Sequence, residues 1–133
     1  MTTTPELKEA VQKAIDDLRA DFQPTELRIE ADAEGGARVM FGPVSLGPQY
    51  VQRDSWIGAH IPAQIPYADI YPVFFRGDLT RVDGKALTAP LTNGHTFMGV
   101  PAVQASRRSN KRDAAVETVK MKFKKVLVWV NSQ

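Results

Sequence analysis

Two histidines, a scatter of hydroxyls and the absence of cysteine set the limits of the chemistry open to this chain. His95 lies in Thr92-Asn93-Gly94-His95-Thr96-Phe97, where an imidazole can act as a general base or orient a ligand. The plainer role is a loop histidine bonded to a backbone carbonyl. The hydroxyls near it in sequence are Thr88, Thr92, Thr96 and Ser106, and a hydroxyl becomes a nucleophile only with a base in hydrogen-bond reach. Ser106, His95 and Asp83 can be written as a hydrolase triple, but no Gly-x-Ser-x-Gly elbow accompanies them. His60, between Ala59 and Ile61 in an apolar run, reads as structural. Two distant histidines without cysteine cannot form the usual zinc sets unless carboxylates join them. Asp69, Asp78 and Asp83 are spaced as turn residues are. No metal and no cofactor are expected. Neither Gly-x-x-x-x-Gly-Lys-Ser/Thr nor Gly-x-Gly-x-x-Gly occurs, so nucleotide binding through those loops has no support.

The charge balance narrows the partners. Seventeen basic residues against fifteen acidic ones leave a formal charge of +2, too small for whole-protein binding to a polyanion. The excess is local. Arg107, Arg108, Lys111 and Arg112 precede Lys120, Lys122, Lys124 and Lys125, with only Asp113 and Glu117 among them. The first four are the candidate binding residues, for an acidic partner surface or a phosphate. Nucleic acid is the weaker reading, because no aromatic residue lies between 98 and 122 to stack on bases. The later lysines are read as the wet face of a helix. No apolar run approaches the roughly 20 residues of a membrane-spanning helix. Met1–Glu6 lacks the basic and apolar regions of a signal peptide, and a cytoplasmic protein is expected.

The elements that must carry these residues fit one domain over 1–133. Thr4-Pro5-Glu6 opens a helix. Leu7, Val11, Ala14, Ile15, Leu18 and Phe22 share one face of it, and Pro24 ends it. Leu27, Ile29 and Ala31 alternate with charged residues as a half-buried strand. Glu34-Gly35-Gly36 turns the chain into Val39-Met40-Phe41. Tyr50-Val51 and Trp56 to Ile61 are candidates for a third and fourth strand, and Val73-Phe74-Phe75 is a short apolar strand. Residues 76–110, with Asp83-Gly84, Asn93-Gly94 and Pro101, read as mostly irregular. A last helix is expected from Asp113 to about Trp129, burying Val116, Val119, Phe123, Val126, Leu127 and Val130. The fold class is α+β, with a four-stranded antiparallel meander between two terminal helices. Trp56, Tyr67, Tyr71, Phe74 and Phe75 are read as core.

This order of elements, with several local motifs, resembles the ubiquitin-conjugating (UBC-like) fold over roughly residues 5–130. Phe41-Gly42-Pro43, Tyr50 and the strand to Ile61 resemble that family's strand–Gly-Pro–strand rhythm. Ile61-Pro62 and Ile70-Tyr71-Pro72 are similar to its P-x-x-YP segment. Arg76-Gly77-Asp78-Leu79 followed by Asp83-Gly84-Lys85-Ala86-Leu87 resembles its HPN…G-x-I-C-L active-site stretch. Pro101 to Asn110 is similar to the matching segment of prokaryotic UBC-like proteins, which occur beside ubiquitin-like proteins, activating enzymes and JAB-type peptidases.

The chain departs from the family where the chemistry would be. Arg76-Gly77 replaces His-Pro, Asp78 replaces the Asn that supports the oxyanion, and Leu87 falls at the cysteine. Leucine has no nucleophilic atom, so thioester transfer by the usual route is excluded. The resemblance then implies a noncatalytic accessory component that binds a ubiquitin-like protein or its activating enzyme. Two alternatives stand beside it. In one, a hydroxyl among Thr88, Thr92 and Ser106 takes the acyl group, with His95 as base and Asp78 nearby. In the other, Arg107, Arg108, Lys111 and Arg112 bind an anion or nucleic acid, with a steep dependence on salt.

Overall fold

Residues Val11, Ala14, Ile15 and Leu18 fall on one stripe of the first helix, α1 (Glu9–Phe22), and all four are buried. Full burial of a valine, isoleucine or leucine side chain stabilises by about 1.5–3 kcal/mol, so Val11, Ile15 and Leu18 fix which face of α1 turns inward. The computed structural model describes residues 7–65, 68–106 and 118–133. Thr4, Pro5 and Glu6, the expected start, lie outside them, and Leu7 and Lys8 are not helical, so the helix opens later than expected, at Glu9. Lys8 precedes the helix in extended conformation, and its N–H donates to Gly35 O at 2.9 Å. Gln23 ends the helix in the left-handed region at φ 47°, donating its N–H to Arg19 O, and Pro24 follows.

Six strands form one antiparallel sheet in the order β1-β2-β3-β4-β6-β5. They are β1 (Glu26–Ala31), β2 (Ala37–Ser45), β3 (Asp54–Ile61), β4 (Val73–Arg76), β5 (Leu91–Phe97) and β6 (Val100–Ala105). The first four run as a meander. Asp32 shapes the β1–β2 turn, its Oδ1 accepting from the N–H groups of Glu34 and Gly36. Gly36 is required there because a Cβ would lie 2.5 Å from Ile61 O. The sheet does not stop at β4. A hairpin, β5–β6, lies within the stretch expected to be irregular, and β6 takes the second edge of β4. The sequence hid it because Asn93-Gly94 acts as a bulge inside β5 rather than as a turn, and Pro101 sits in β6. Four strands therefore become six. Tyr50-Val51 is not a strand. Tyr50 makes an isolated bridge to Arg81, and its buried hydroxyl donates to Val130 O at 2.7 Å.

Both helices cover one face of the sheet. The second, α2 (Val119–Asn131), starts later than Asp113, with Thr118 as N-cap accepting from Met121 N–H; Asp113 and Val116 lie outside the described residues. Val119, Phe123, Val126 and Val130 join the stripe of α1 over Val39, Phe41, Ile57, Phe75 and Val103. Phe41 sits between Phe22 and Phe123, with centroids 4.9 and 5.2 Å away. Lys122 corrects the view of the lysines as a wet face. It is 3% exposed, because position 122 falls on the buried stripe, and its Nζ lies 3.4 Å from Asp69 Oδ2. No helix among the described residues is long and apolar enough to cross a membrane.

Candidate functional site

Strand alternation sends Met40, Trp56, Gly58 and Phe74 to the face that carries neither α1 nor α2. A second, smaller apolar cluster forms there with Phe97, Met98, Val100 and Ala102. The ring of Phe97 stacks on Phe74 at 4.6 Å and lies 6.1 Å from Trp56, nearly parallel to both. Gly58 makes room for it, since a Cβ at 58 would stand 2.6 Å from Phe97 Cε1. Trp56 and Phe74 remain partly exposed. They are not central core as expected, whereas Phe75, one residue on, is fully buried; Tyr67 lies outside the described residues.

Beside this stack a cleft of about 570 Å³ opens at the end of β4. Its floor is the Arg76 guanidinium, which donates to both carboxylate oxygens of Asp78, from Nε at 2.5 Å and Nη2 at 2.8 Å. Its Nη1 donates to Asp54 O at 3.2 Å and lies 3.6 Å from Asp54 Oδ1. The Arg76 backbone N–H donates to Ser55 Oγ, anchoring the strand end. The hydrogen bonds from Arg76 hold the Asp78 carboxyl below its ordinary range, and those same contacts raise the guanidinium above its own. Asp54 and Asp78 are about two-thirds exposed and Arg76 one-third, so the cation is recessed and the carboxylates form the rim. Glu26 also lines the cleft, leaving an acidic excess. Gly77 lies against the Pro101 backbone at a distance that excludes any side chain. Arg76, Gly77 and Asp78 thus all line this cleft.

The sequence candidates do not all meet. Asn93-Gly94 adds one residue to β5, with Gly94 at φ 83°, so Thr92 pairs with Gln104 but His95 with Ala102. In a regular strand residues 92 and 95 would point to opposite faces; the bulge brings them to one. Thr92 Oγ1 and His95 Nε2 consequently lie 2.9 Å apart. Ser106 accepts from Gln104 Nε2 at 2.7 Å, and Thr88 is exposed in the loop before β5. Asp78 is engaged by Arg76 in the cleft. Asp83 is engaged by Arg81 and by the Lys85 N–H. The Ser106–His95–Asp83 triple is thus not assembled. Leu87 packs partly buried against the main core. His60 Nε2 lies 2.6 Å from Asp32 Oδ2, buttressing the β1–β2 turn. Arg107, Arg108, Lys111 and Arg112 lie outside the described residues. Among the described residues no group of three or more His, Asp or Glu side chains could hold a metal.

Sequence reasoning missed the aromatic stack. The signal was in β3, where Trp56-x-Gly58-x-His60 alternates with Ile57-x-Ala59-x-Ile61, so both faces carry more than solvent-facing polar residues. Comparison with protein-family models, with curated proteins and with solved structures returned no significant match. The UBC-like resemblance therefore rests on the chain's own motifs.

Proposed function

We propose that this protein is a noncatalytic UBC-like binding domain, an accessory component of a bacterial ubiquitin-like modification system. Its partner is a ubiquitin-like protein or the activating enzyme of that protein, docked on the helix-free sheet face. The observation that carries this reading is that face itself: a stack of three aromatic rings, two of them partly exposed, beside a polar cleft. Partly exposed aromatics flanked by charge are the usual anchors of protein interfaces. The acidic rim of Glu26, Asp54 and Asp78 favours a partner patch that carries lysine or arginine. Leu87 supports the noncatalytic part, since an aliphatic side chain packed on the core stands where the resemblance would put a thiolate.

Calorimetric titration of the full chain with a ubiquitin-like protein and an activating enzyme from its gene neighbourhood tests this. Saturable binding is expected, weakened by about tenfold or more in Trp56→Ala and in Asp54→Lys. Absence of binding to both partners, or binding indifferent to both substitutions, refutes the proposal.

The Thr92–His95 contact favours one second reading, transfer through an oxyester. Thr92 Oγ1 would attack the thioester carbonyl on the activating enzyme, His95 Nε2 in its acceptor form would take the proton, and the enzyme's thiolate would leave. A hydroxylamine-sensitive adduct that forms on the wild-type chain and is lost in Thr92→Ala supports this reading. No adduct with any partner combination removes it.

A further inference from the structure

β1 closes one side of the sheet with β2 on a single flank, and among the described residues no strand lies along the other. The ladder with β2 runs in one register from Glu26↔Gly42 to Ala31↔Ala37 without a bulge. The next rung is visible in the turn, where Asp32 N–H donates to Gly36 O at 3.0 Å. Bonded and non-bonded pairs alternate along an antiparallel ladder. That rung therefore puts Glu30, Arg28 and Glu26 in bonded pairs with β2, and it turns the N–H and C=O groups of Leu27, Ile29 and Ala31 toward the open flank. Such an edge is a template for another strand unless proline, a bulge, a cover or charge that the incoming strand does not match blunts it. The charges of β1 therefore admit only a strand that complements Glu26, Arg28 and Glu30. β1 contains no proline, and Ile29 is 40% exposed.

We infer that β1 is a self-association edge, on which two copies of this chain pair antiparallel about a two-fold axis at Ile29. This inference goes beyond the binding role proposed above and does not depend on it. The charges, together with the length of strand overlapped, select the partner and the register. Centring on Leu27 would also oppose Arg28 to Glu26, but it would overlap only residues 26–28 of each β1. Centred on Ile29, the pairing sets Ile29 opposite Ile29 and Leu27 opposite Ala31, matching the outward backbone groups. On the helix-free face it sets Arg28 of each copy opposite Glu30 of the other. Centred on Arg28, it would oppose Arg28 to itself and Glu26 to Glu30, all like charges. Centred on Glu30, it would oppose Glu30 to itself and direct Arg28 at Asp32, whose carboxylate is engaged by His60 and two backbone N–H groups. Arg28 and Glu30 are exposed enough to turn outward: Arg28 makes long contacts to Met98 O at 3.5 Å and to Met40 Sδ at 3.9 Å, and Glu30 shares an exposed ion pair with Arg38. A strand this self-complementary fits a second copy better than an unrelated sequence. Six residues a side make a small interface, so the dimer is weak and concentration-dependent.

Sedimentation equilibrium of the full chain over a wide concentration range, with mixed variants, tests the inference. Arg28→Glu and Glu30→Arg should each weaken self-association by about tenfold or more. An equimolar mixture of the two should associate again, because every facing pair then becomes opposite in charge. A second test uses the cysteine-free background. Ile29→Cys should cross-link to itself on mild oxidation and Leu27→Cys should not, because only residue 29 faces its own copy. A wild-type chain that stays monomeric throughout overturns the inference. So does a mixture no more associated than its components, or cross-linking that is equal at both positions.

Discussion

Replacing Gly58 with alanine sets two physical expectations against each other. Glycine inside a strand is destabilising by roughly 0.5–1 kcal/mol relative to alanine, so backbone preference alone predicts a gain in stability. Packing predicts the reverse. The new methyl would stand 2.6 Å from Phe97 Cε1 and 2.8 Å from Val39 O, where ordinary contact begins at 3.4 Å. The ring can retreat only by loosening its stack on Phe74 and Trp56, and each such aromatic pair is worth about 0.5–1.5 kcal/mol. The carbonyl belongs to β2 and is held in the middle of the sheet. Overpacking of this kind costs about 1–3 kcal/mol, so packing wins and Gly58→Ala destabilises by about that amount. Urea denaturation followed by circular dichroism measures the loss. A double-mutant cycle with Phe97→Ala locates it: with the ring gone, Gly58→Ala should cost less, by about 1 kcal/mol or more. A Gly58→Ala protein more stable than wild type would show that backbone preference, not contact with Phe97 and Val39, decides the outcome at position 58. An equal cost in both backgrounds would show that Phe97 does not rest on Gly58.

Three further outcomes follow from the same geometry. Tyr50→Phe removes the buried hydroxyl bond to Val130 O and should cost about 1–2 kcal/mol in urea denaturation. Burial also raises the Tyr50 phenol above its ordinary value of 10.0, so the folded state keeps a proton that the unfolded state releases. Stability should therefore hold below pH 10 and decline above it, and the decline should be shallower in Tyr50→Phe. For Asp32, the hydrogen bond from His60 depresses the carboxyl below its ordinary 3.8. Its contribution is present in full above that value and is lost as pH falls through the lower folded value. Asp32→Asn should remove this part of the acid sensitivity, as measured by thermal melts across the acid range. Gly77→Ala, whose Cβ would meet the Pro101 backbone at 2.5 Å, should destabilise by about 1–3 kcal/mol in thermal melts, and a neutral substitution would contradict that close approach.

The terminal helices and the first strands were legible because their signals are local. The stripe of Val11, Ala14, Ile15 and Leu18, the Gly35-Gly36 turn and the alternation of β3 each sit within one element. Spacing and composition alone carry the α+β class, the apolar stripes of α1 and α2, and the absence of thiolate chemistry, since folding cannot supply a missing sulfur. Only the tertiary structure decided the rest. Asn93-Gly94 is a turn or a bulge depending on whether Leu91–Phe97 finds β6, and the open edge of β4 settles that choice. Helical spacing by itself puts Lys122 on the buried stripe; that a lysine can stay there depends on Asp69, 53 residues away, whose Oδ2 lies 3.4 Å from its Nζ. Trp56 and Phe74 needed Phe97 to form a second apolar face, and Arg76 needed Asp54 to form the cleft. The physical reason is common to all four cases: the free energy of each residue depends on a neighbour distant in sequence, which local spacing does not encode.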